Sequence, residues 1–323
     1  MVENKSSSSK IKEKLSYLEN FRLKKLKEHN RNIMICAVIV PILEYVCYDF
    51  FVSSSESDFI GVMVFILFVA GWYIYKPVAE YKKEYKEKVI PVLVEQLGAS
   101  FNYSSVKYIR YSDVNHFKSI GYSNKESGED MFEGKIEGIK VQFSECHFKR
   151  ETGSGKNKST TTIFKGLLCL TEFPFNFQSH TVVQKDAGKL INFLSSKISK
   201  FENIQLDDPN FEKEFEVYTN DRHGSFYLLS PSMMKNMLSF TNFVRKAHSK
   251  RAKVGFEFYN NQMLIKVEKI PNLFEPAGIR TSAYNLEILP VMKNQIKAIA
   301  TIIHHLKLDY FKDRKIAVNN SNK

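Results

Sequence analysis

FIGVMVFILFVAGWYIY, residues 59–75, carries no charged side chain and is dense in Phe, Ile, Val and Leu. Each such residue favours insertion at a bilayer centre by about 0.3–0.6 kcal/mol. At about 1.5 Å rise per residue, the run approaches the thickness of a hydrocarbon core. Trp72, Tyr73 and Tyr75 gather at one end, where an aromatic belt belongs, and Lys76 and Pro77 mark the exit. An acidic link, Ser53 to Asp58, joins this run to an earlier one, Ile33 to Val52. The pair reads as a two-helix transmembrane hairpin.

The earlier run is interrupted by Pro41 and contains Glu44 and Asp49. An acid near the centre of a span costs about 3 kcal/mol, which Ile33, Ile35, Val38, Ile39, Val40, Ile42 and Leu43 together offset. Protonation, a facing helix or a position near the far interface explains Glu44 structurally. The other reading makes it a functional intramembrane acid, although the second run offers no Lys, Arg or His to pair with it.

Basic residues set the expected orientation. Arg22, Lys24, Lys25, Lys27 and Arg31 precede the hairpin, Lys76, Lys82, Lys83, Lys86 and Lys88 follow it, and the link has none. Both termini are therefore expected in the cytoplasm. Polar residues precede the first run and no small-residue cleavage pattern follows it, so the hairpin reads as a permanent anchor rather than a signal peptide. The competing reading, two buried core helices of a soluble protein, fits the lengths but not the flanking charge.

The chain has 323 residues, 43% hydrophobic and 25% charged, enough for the hairpin and a sizeable core. Its formal net charge is +12; residues 1–91 hold 14 Lys and Arg against 11 Asp and Glu, which leaves +9 for the remainder. A basic body beside an anionic leaflet is drawn to its headgroups by about 1 kcal/mol per Lys or Arg near the surface. Nucleic acid is an unlikely partner, because the sequence has no zinc finger, RNA-recognition signature or repeated arrangement of Arg with aromatics. The four cysteines, Cys36, Cys47, Cys146 and Cys169, lack CxxC spacing and read as reduced thiols.

The expected organisation is a basic cytoplasmic N-terminal helix (1–32), the hairpin (33–75, spans 33–52 and 59–75), a juxtamembrane helix (76–100), two β-rich α+β halves (101–206 and 207–315) and a tail (316–323). A Ser-rich, mobile stretch is expected to open residues 1–32, followed by Ile11, Leu15, Leu18 and the Arg22 stem at helical spacing. Tyr81, Tyr85 and Val89 recur every four residues; Pro91 interrupts or restarts the helix, and Gly98 can close it. These two flanking helices can pair with each other, although solvated faces are the simpler reading.

In the body, Lys135–Phe148 and Ile163–Leu170 alternate as strands of a long-looped hairpin, and Ala187–Lys200 has amphipathic helical spacing. Phe211–Tyr218 and Ser225–Leu229 read as strands around a turn at 220–224. Ser230 caps a helix that starts at Pro231 and buries Met233, Met234, Met237, Leu238 and Phe240. Val254–Tyr259 and Met263–Val267 flank Asn260-Asn261, a two-residue hairpin turn without its usual Gly. Leu289–Leu308 reads as a final helix. The fold class is thus an α+β cytoplasmic body with a mixed or antiparallel β-sheet and packing helices, preceded by the hairpin.

Signatures of chemistry are absent. Gly153-Ser154-Gly155-Lys156 fails as a phosphate loop, since Arg150 and Asn157 occupy places that need Gly and Ser or Thr. His304 and His305 diverge by about 100° on a helix, and His116, His147, His180, His223 and His248 are scattered. Asp221, Arg222 and His223 sit at a turn, where polar residues are ordinary. No catalytic set, metal or cofactor is implied. The densest positive patch, Arg245, Lys246, Lys250, Arg251 and Lys253, follows an apolar helix whose C-terminal dipole favours cations; solvation and anionic-lipid contact are its two main readings.

Several segments together resemble the bacterial membrane-protein family called domain of unknown function 3137. These are the apolar hairpin, the strand start at Phe132-Glu133-Gly134-Lys135-Ile136-Glu137-Gly138, Phe143-Ser144-Glu145, Phe164-Lys165-Gly166-Leu167-Leu168, Phe215-Glu216-Val217-Tyr218 through Asp221, and Tyr227-Leu228-Leu229-Ser230-Pro231 with Met233 and Met234. The resemblance covers about residues 20 to 275 and implies a bacterial inner membrane with a cytoplasmic body. It brings no reaction. The leading expectation is a membrane-anchored interaction or scaffold module that binds a protein partner or anionic lipid. The alternatives are a membrane-tethered enzyme whose site is dispersed in sequence, and an oligomeric transport component.

Overall fold

The computed structural model describes residues 3–51, 56–96, 100–136, 138–172, 177, 179–185, 201–285 and 287–300. The chain forms two compact units: residues 1–92 with 275–290, and residues 93–274 with 291–323.

The first unit is built on two long helices, α1 (Glu3–Phe51) and α2 (Glu56–Gln96). α1 is helical from Glu3, so the Ser-rich start is part of the helix. Pro41, Pro77 and Pro91 all lie inside helices, and Pro91 does not interrupt α2 as its sequence suggests. In their apolar stretches the two helices leave large side chains outward, with Met34 71% and Phe68 72% exposed. Both are long and apolar enough to cross a membrane.

Beyond the apolar stretches the helices pair rather than present solvated faces. Leu15 and Leu18 of α1 and Tyr81, Tyr85 and Val89 of α2 are buried, with the two tyrosine rings edge to face at 6.1 Å. The four-residue recurrence read in the sequence is thus the seam of a helical stalk. Residues 275–290 strap across it. Arg22 Nη1 donates to Ile279 O (2.7 Å), Glu19 accepts from the Ala283 N–H (2.7 Å), and Lys82 and Lys86 reach Glu275 at 2.8 and 3.0 Å.

The second unit is a nine-stranded antiparallel sheet in the order β1-β2-β3-β4-β9-β8-β5-β7-β6. Its strands are β1 (Ser100–Ser104), β2 (Lys125–Ile136), β3 (Ile139–Thr152), β4 (Ser159–Glu172), β5 (Thr181–Gln184), β6 (Glu202–Ile204), β7 (Glu216–Thr219), β8 (Lys253–Tyr259) and β9 (Gln262–Glu268). Strands from both sides of residue 206 interleave, β4 pairing with β9 and β5 with β8, so the two stretches read as halves share one sheet. Lys135–Phe148 is not one strand: it turns at Gly138, whose φ of +82° suits glycine, and passes from β2 to β3.

Helices α3 (Tyr111–Val114), α4 (Pro209–Glu214), α5 (Arg222–Leu228), α6 (Pro231–Ala247) and α7 (Ile288–Ala300), with a 3₁₀ turn at Gly155–Asn157 between β3 and β4, complete the described elements. Two segments read as strands are largely helical. The front of Phe211–Tyr218 is α4, because Asp208 accepts from the N–H groups of Asn210 and Phe211 and Pro209 suits the first helical position. Ser225–Leu229 belongs mainly to α5, capped by Asp221 through the Gly224 N–H. Ser230 caps α6 as read, and Asn260 and Asn261, at φ +50° and +58°, form the two-residue turn between β8 and β9. The helix expected over Ala187–Lys200, Gly98, and Leu289–Leu308 beyond Ala300 with His304 and His305 lie outside the described residues.

Central strands are covered on both faces, which is why Val254 to Phe258 is buried without alternation. On one face, Phe256 meets Phe215 and Phe240 at 5.9 and 6.0 Å between ring centres. On the other, Ile109, Val114, Phe117 and Ile120 pack with Cys146, Phe148, Phe164, Leu168 and Leu264.

Candidate functional site

A groove of about 590 Å³ lies between the C-terminal half of α6 and α7. The sequence folds α6 so that Met233, Met237, Phe240 and Val244 face the core, and α7 so that Met292 and Ile296 do. Gln295 Oε1 accepts from the Phe274 N–H (2.9 Å), which fixes the register of α7. Phe243, Ala247 and Val291 give the groove an apolar lining surface, and Lys246, His248 and Lys297 also line it. Burial pushes the His248 imidazole below its ordinary value, so it is neutral near pH 7.

The positive patch read from the sequence divides at this place. Arg245 turns inward: its guanidinium grips Glu214 through two bonds of 2.9 and 2.5 Å and donates to Ala252 O (3.2 Å), tying α6 to α4 and to the start of β8. Lys246, Lys250 and Arg251 are exposed, and Lys253 is half-buried at the start of β8. Glu44 is half-buried on α1, and among the described residues no cation pairs with it.

Sequence reasoning missed a buried polar network. Glu257 on β8, fully buried, accepts from the N–H groups of Lys118 (2.5 Å) and Ser119 (2.7 Å) and from His180 Nε2 (2.5 Å). Lys266 on β9 donates to Ser119 O and to Gln184 Oε1, each at 2.9 Å. A carboxylate and an ammonium thus hold one loop to the sheet through its backbone. The signal was present as a Glu and a Lys inside the otherwise apolar strands KVGFEFY and QMLIKVE. Of the scattered histidines, His180 is the one placed deepest, and its ring stacks on Tyr259 at 4.3 Å.

Carboxylates converge at a bulge in β2. The ligating oxygens of Glu129, Asp130 and Glu145 lie within 4.8 Å of one another, close enough to share a cation. Their visible work is structural: Tyr103 Oη donates to Asp130 (2.5 Å), and Glu145 accepts from the Leu273 N–H (2.5 Å). Cys146 and Cys169 are buried free thiols that burial pushes up to about 12, so both stay protonated and unreactive.

Residues 162–308 match the family model described as "Protein of unknown function (DUF3137)". A solved structure, the crystal structure of the mycobacterial trehalose monomycolate transport factor A, TtfA, shows 9% identity over 68% of this chain and 93% of that one, at a TM-score of 0.31, too low to establish a common fold. No curated protein matches the sequence.

Proposed function

Residues 162–308 match a family of unknown function, and with the two outward-facing apolar helices in view we propose that the chain is a membrane-anchored interaction module. The apolar stretches of α1 and α2 cross the bilayer as a hairpin, both termini face the cytoplasm of a bacterial cell, and the basic α+β body works beside the inner leaflet. The observation that supports this reading is the outward apolar surface of both helices, which a soluble protein would bury. It stops where the polar stalk begins, at His29 and Asn32 on α1 and Lys76 on α2. The exposed cations Lys246, Lys250 and Arg251 add attraction to anionic headgroups, about 1 kcal/mol each close to the surface.

Alkaline carbonate extraction of native membranes tests the anchor: the chain is expected in the pellet, and release into the supernatant would overturn the reading. Reporter fusions at the carboxyl end test orientation and are expected to show cytoplasmic activity. Flotation with vesicles of phosphatidylcholine alone and with anionic phosphatidylglycerol, using a variant with Lys246, Lys250 and Arg251 changed to Glu, separates headgroup attraction from the anchor.

A further inference from the structure

We infer that a groove along the hairpin, between the apolar stretches of α1 and α2, seats an acyl chain of an anionic phospholipid of the cytoplasmic leaflet, with Arg31 and Lys76 receiving its charged head. This rests on the anchor reading and adds to it a lipid site at one place in the hairpin.

The groove, about 360 Å³, lies in the first unit and is lined by Ile35, Ile39 and Leu43 of α1 and Phe65, Val69 and Ala70 of α2. Its volume falls within the roughly 300–1,000 Å³ of small-molecule sites. All six side chains are hydrocarbon, and residues 35–43 carry the lining about 12 Å along the α1 axis. Inside a bilayer, a methylene chain matches such a wall over its whole length.

Charge decides which way round an amphiphile lies. Arg31 stands four residues before Ile35, and Lys76 three after Tyr73, a further lining residue, so each extends a helix face of the groove by one turn. Both cations are exposed, with the Lys76 ammonium 5.8 Å over the Trp72 ring. The acids at this end are already engaged, since Lys25 bonds both Glu28 (2.8 Å) and Glu80 (2.5 Å). The opposite end runs to Glu44, next in sequence to Leu43, and the link beyond it carries Glu56 and Asp58 without a Lys or Arg. An anionic head is thus drawn to one end and repelled from the other. Long Arg and Lys stems lie along apolar surface while their charges reach the headgroup level, where a phosphate accepts charge-assisted hydrogen bonds.

Trp72, the single tryptophan of the chain and the neighbour of Lys76, is the reporter. The full chain is reconstituted in phosphatidylcholine vesicles in which one tenth of the lipid is phosphatidylglycerol brominated in its acyl chains, and in parallel with the same share of brominated phosphatidylcholine. Quenching of Trp72 is expected to show phosphatidylglycerol enriched about fivefold over phosphatidylcholine, the order of preference that two exposed ion contacts supply. The Arg31→Gln, Lys76→Gln double variant is expected to lose that preference. Ala70→Phe, which fills the groove and keeps both cations, is expected to lose it too, whereas Val64→Phe, at an outward side chain 61% exposed, adds bulk elsewhere and is expected to keep it. Equal quenching by the two brominated lipids would overturn the proposal and leave the anchor standing, as would a preference that survives Ala70→Phe. Disulfide linkage between copies through Cys36, another lining residue, in a Cys47→Ser background would overturn it by showing that a second copy fills the groove. Trp72 unquenched by either lipid would remove the anchor itself, and the site with it.

Discussion

Asn32 Nδ2 donates to Tyr73 O at 2.9 Å, and Tyr73 is the residue whose carbonyl loses its helical donor because Pro77 stands four positions later. One helix thus repairs the break in the other. His29 Nδ1 donates to the next carbonyl, Ile74 O, at 2.8 Å, so two successive acceptors of α2 are supplied from α1. This is why Pro77 sits within a continuous helix rather than ending it.

Asn32→Ala is expected to destabilise the helix pair by about 1 kcal/mol by stranding a carbonyl. The cost should shrink in a Pro77→Ala background, where residue 77 regains an N–H for Tyr73 O. A double-mutant cycle on the chain in detergent measures the coupling, and additive effects would show that the two positions are independent.

Burial lowers the Lys266 ammonium below the ordinary lysine value of 10.5, although the nearby carboxylates of Glu268 and Glu257 act the other way. The folded protein therefore binds fewer protons than the unfolded one between those two values, and this group's contribution to stability rises with pH through that window. Lower pH restores the cost of a buried charge. Thermal melts across alkaline pH should show this rise in the parent relative to Lys266→Met; parallel curves would contradict it.

Cys146 and Cys169, with thiols near pKa 12, are expected to resist iodoacetamide at about pH 8 until the chain is unfolded. Mass spectrometry of native and guanidinium-treated protein reads this directly. Rapid native modification of either would mean that the sheet interior opens.

Asn260→Val is expected to cost about 1–2 kcal/mol, since a β-branched residue is strained at a φ of +50°. Asn260→Gly should change stability by only a few tenths of a kcal/mol. Chemical denaturation of both variants provides the comparison, and equal midpoints would argue against the backbone as cause.

Gly166→Ala would place a Cβ 2.0 Å from Val267 O, at the end of the β4–β9 pairing. Strand rearrangement or a loss of about 3 kcal/mol or more is expected, read as failure to express or a lowered melting temperature. Parent-like stability would mean that the strands separate at little cost.

Legibility followed locality. The two long apolar helices, the Ser230 cap and the Asn260-Asn261 turn were readable because each depends on neighbours in sequence. The α4 and α5 errors arose where Phe211, Phe215 and Tyr218 suit a strand by propensity while Asp208, Pro209 and Asp221 decide for short helices through their caps. The Glu257 network could not be foreseen as a network, because His180, Lys118 and Ser119 reach it from elements 77 to 139 residues away. The candidate groove was half legible: Lys246 was singled out within its basic run, but not Lys297, Arg245's engagement with Glu214 or the apolar side chain that α7 adds at Val291.

The strap over the stalk imposes a schedule on biosynthesis. Arg22 waits 257 residues for the carbonyl of Ile279, an interval of about 10–50 s at ordinary rates of protein synthesis. Until then the nascent hairpin holds a guanidinium whose final acceptor has yet to be made, so a ribosome stalled before residue 275 leaves the stalk unclasped.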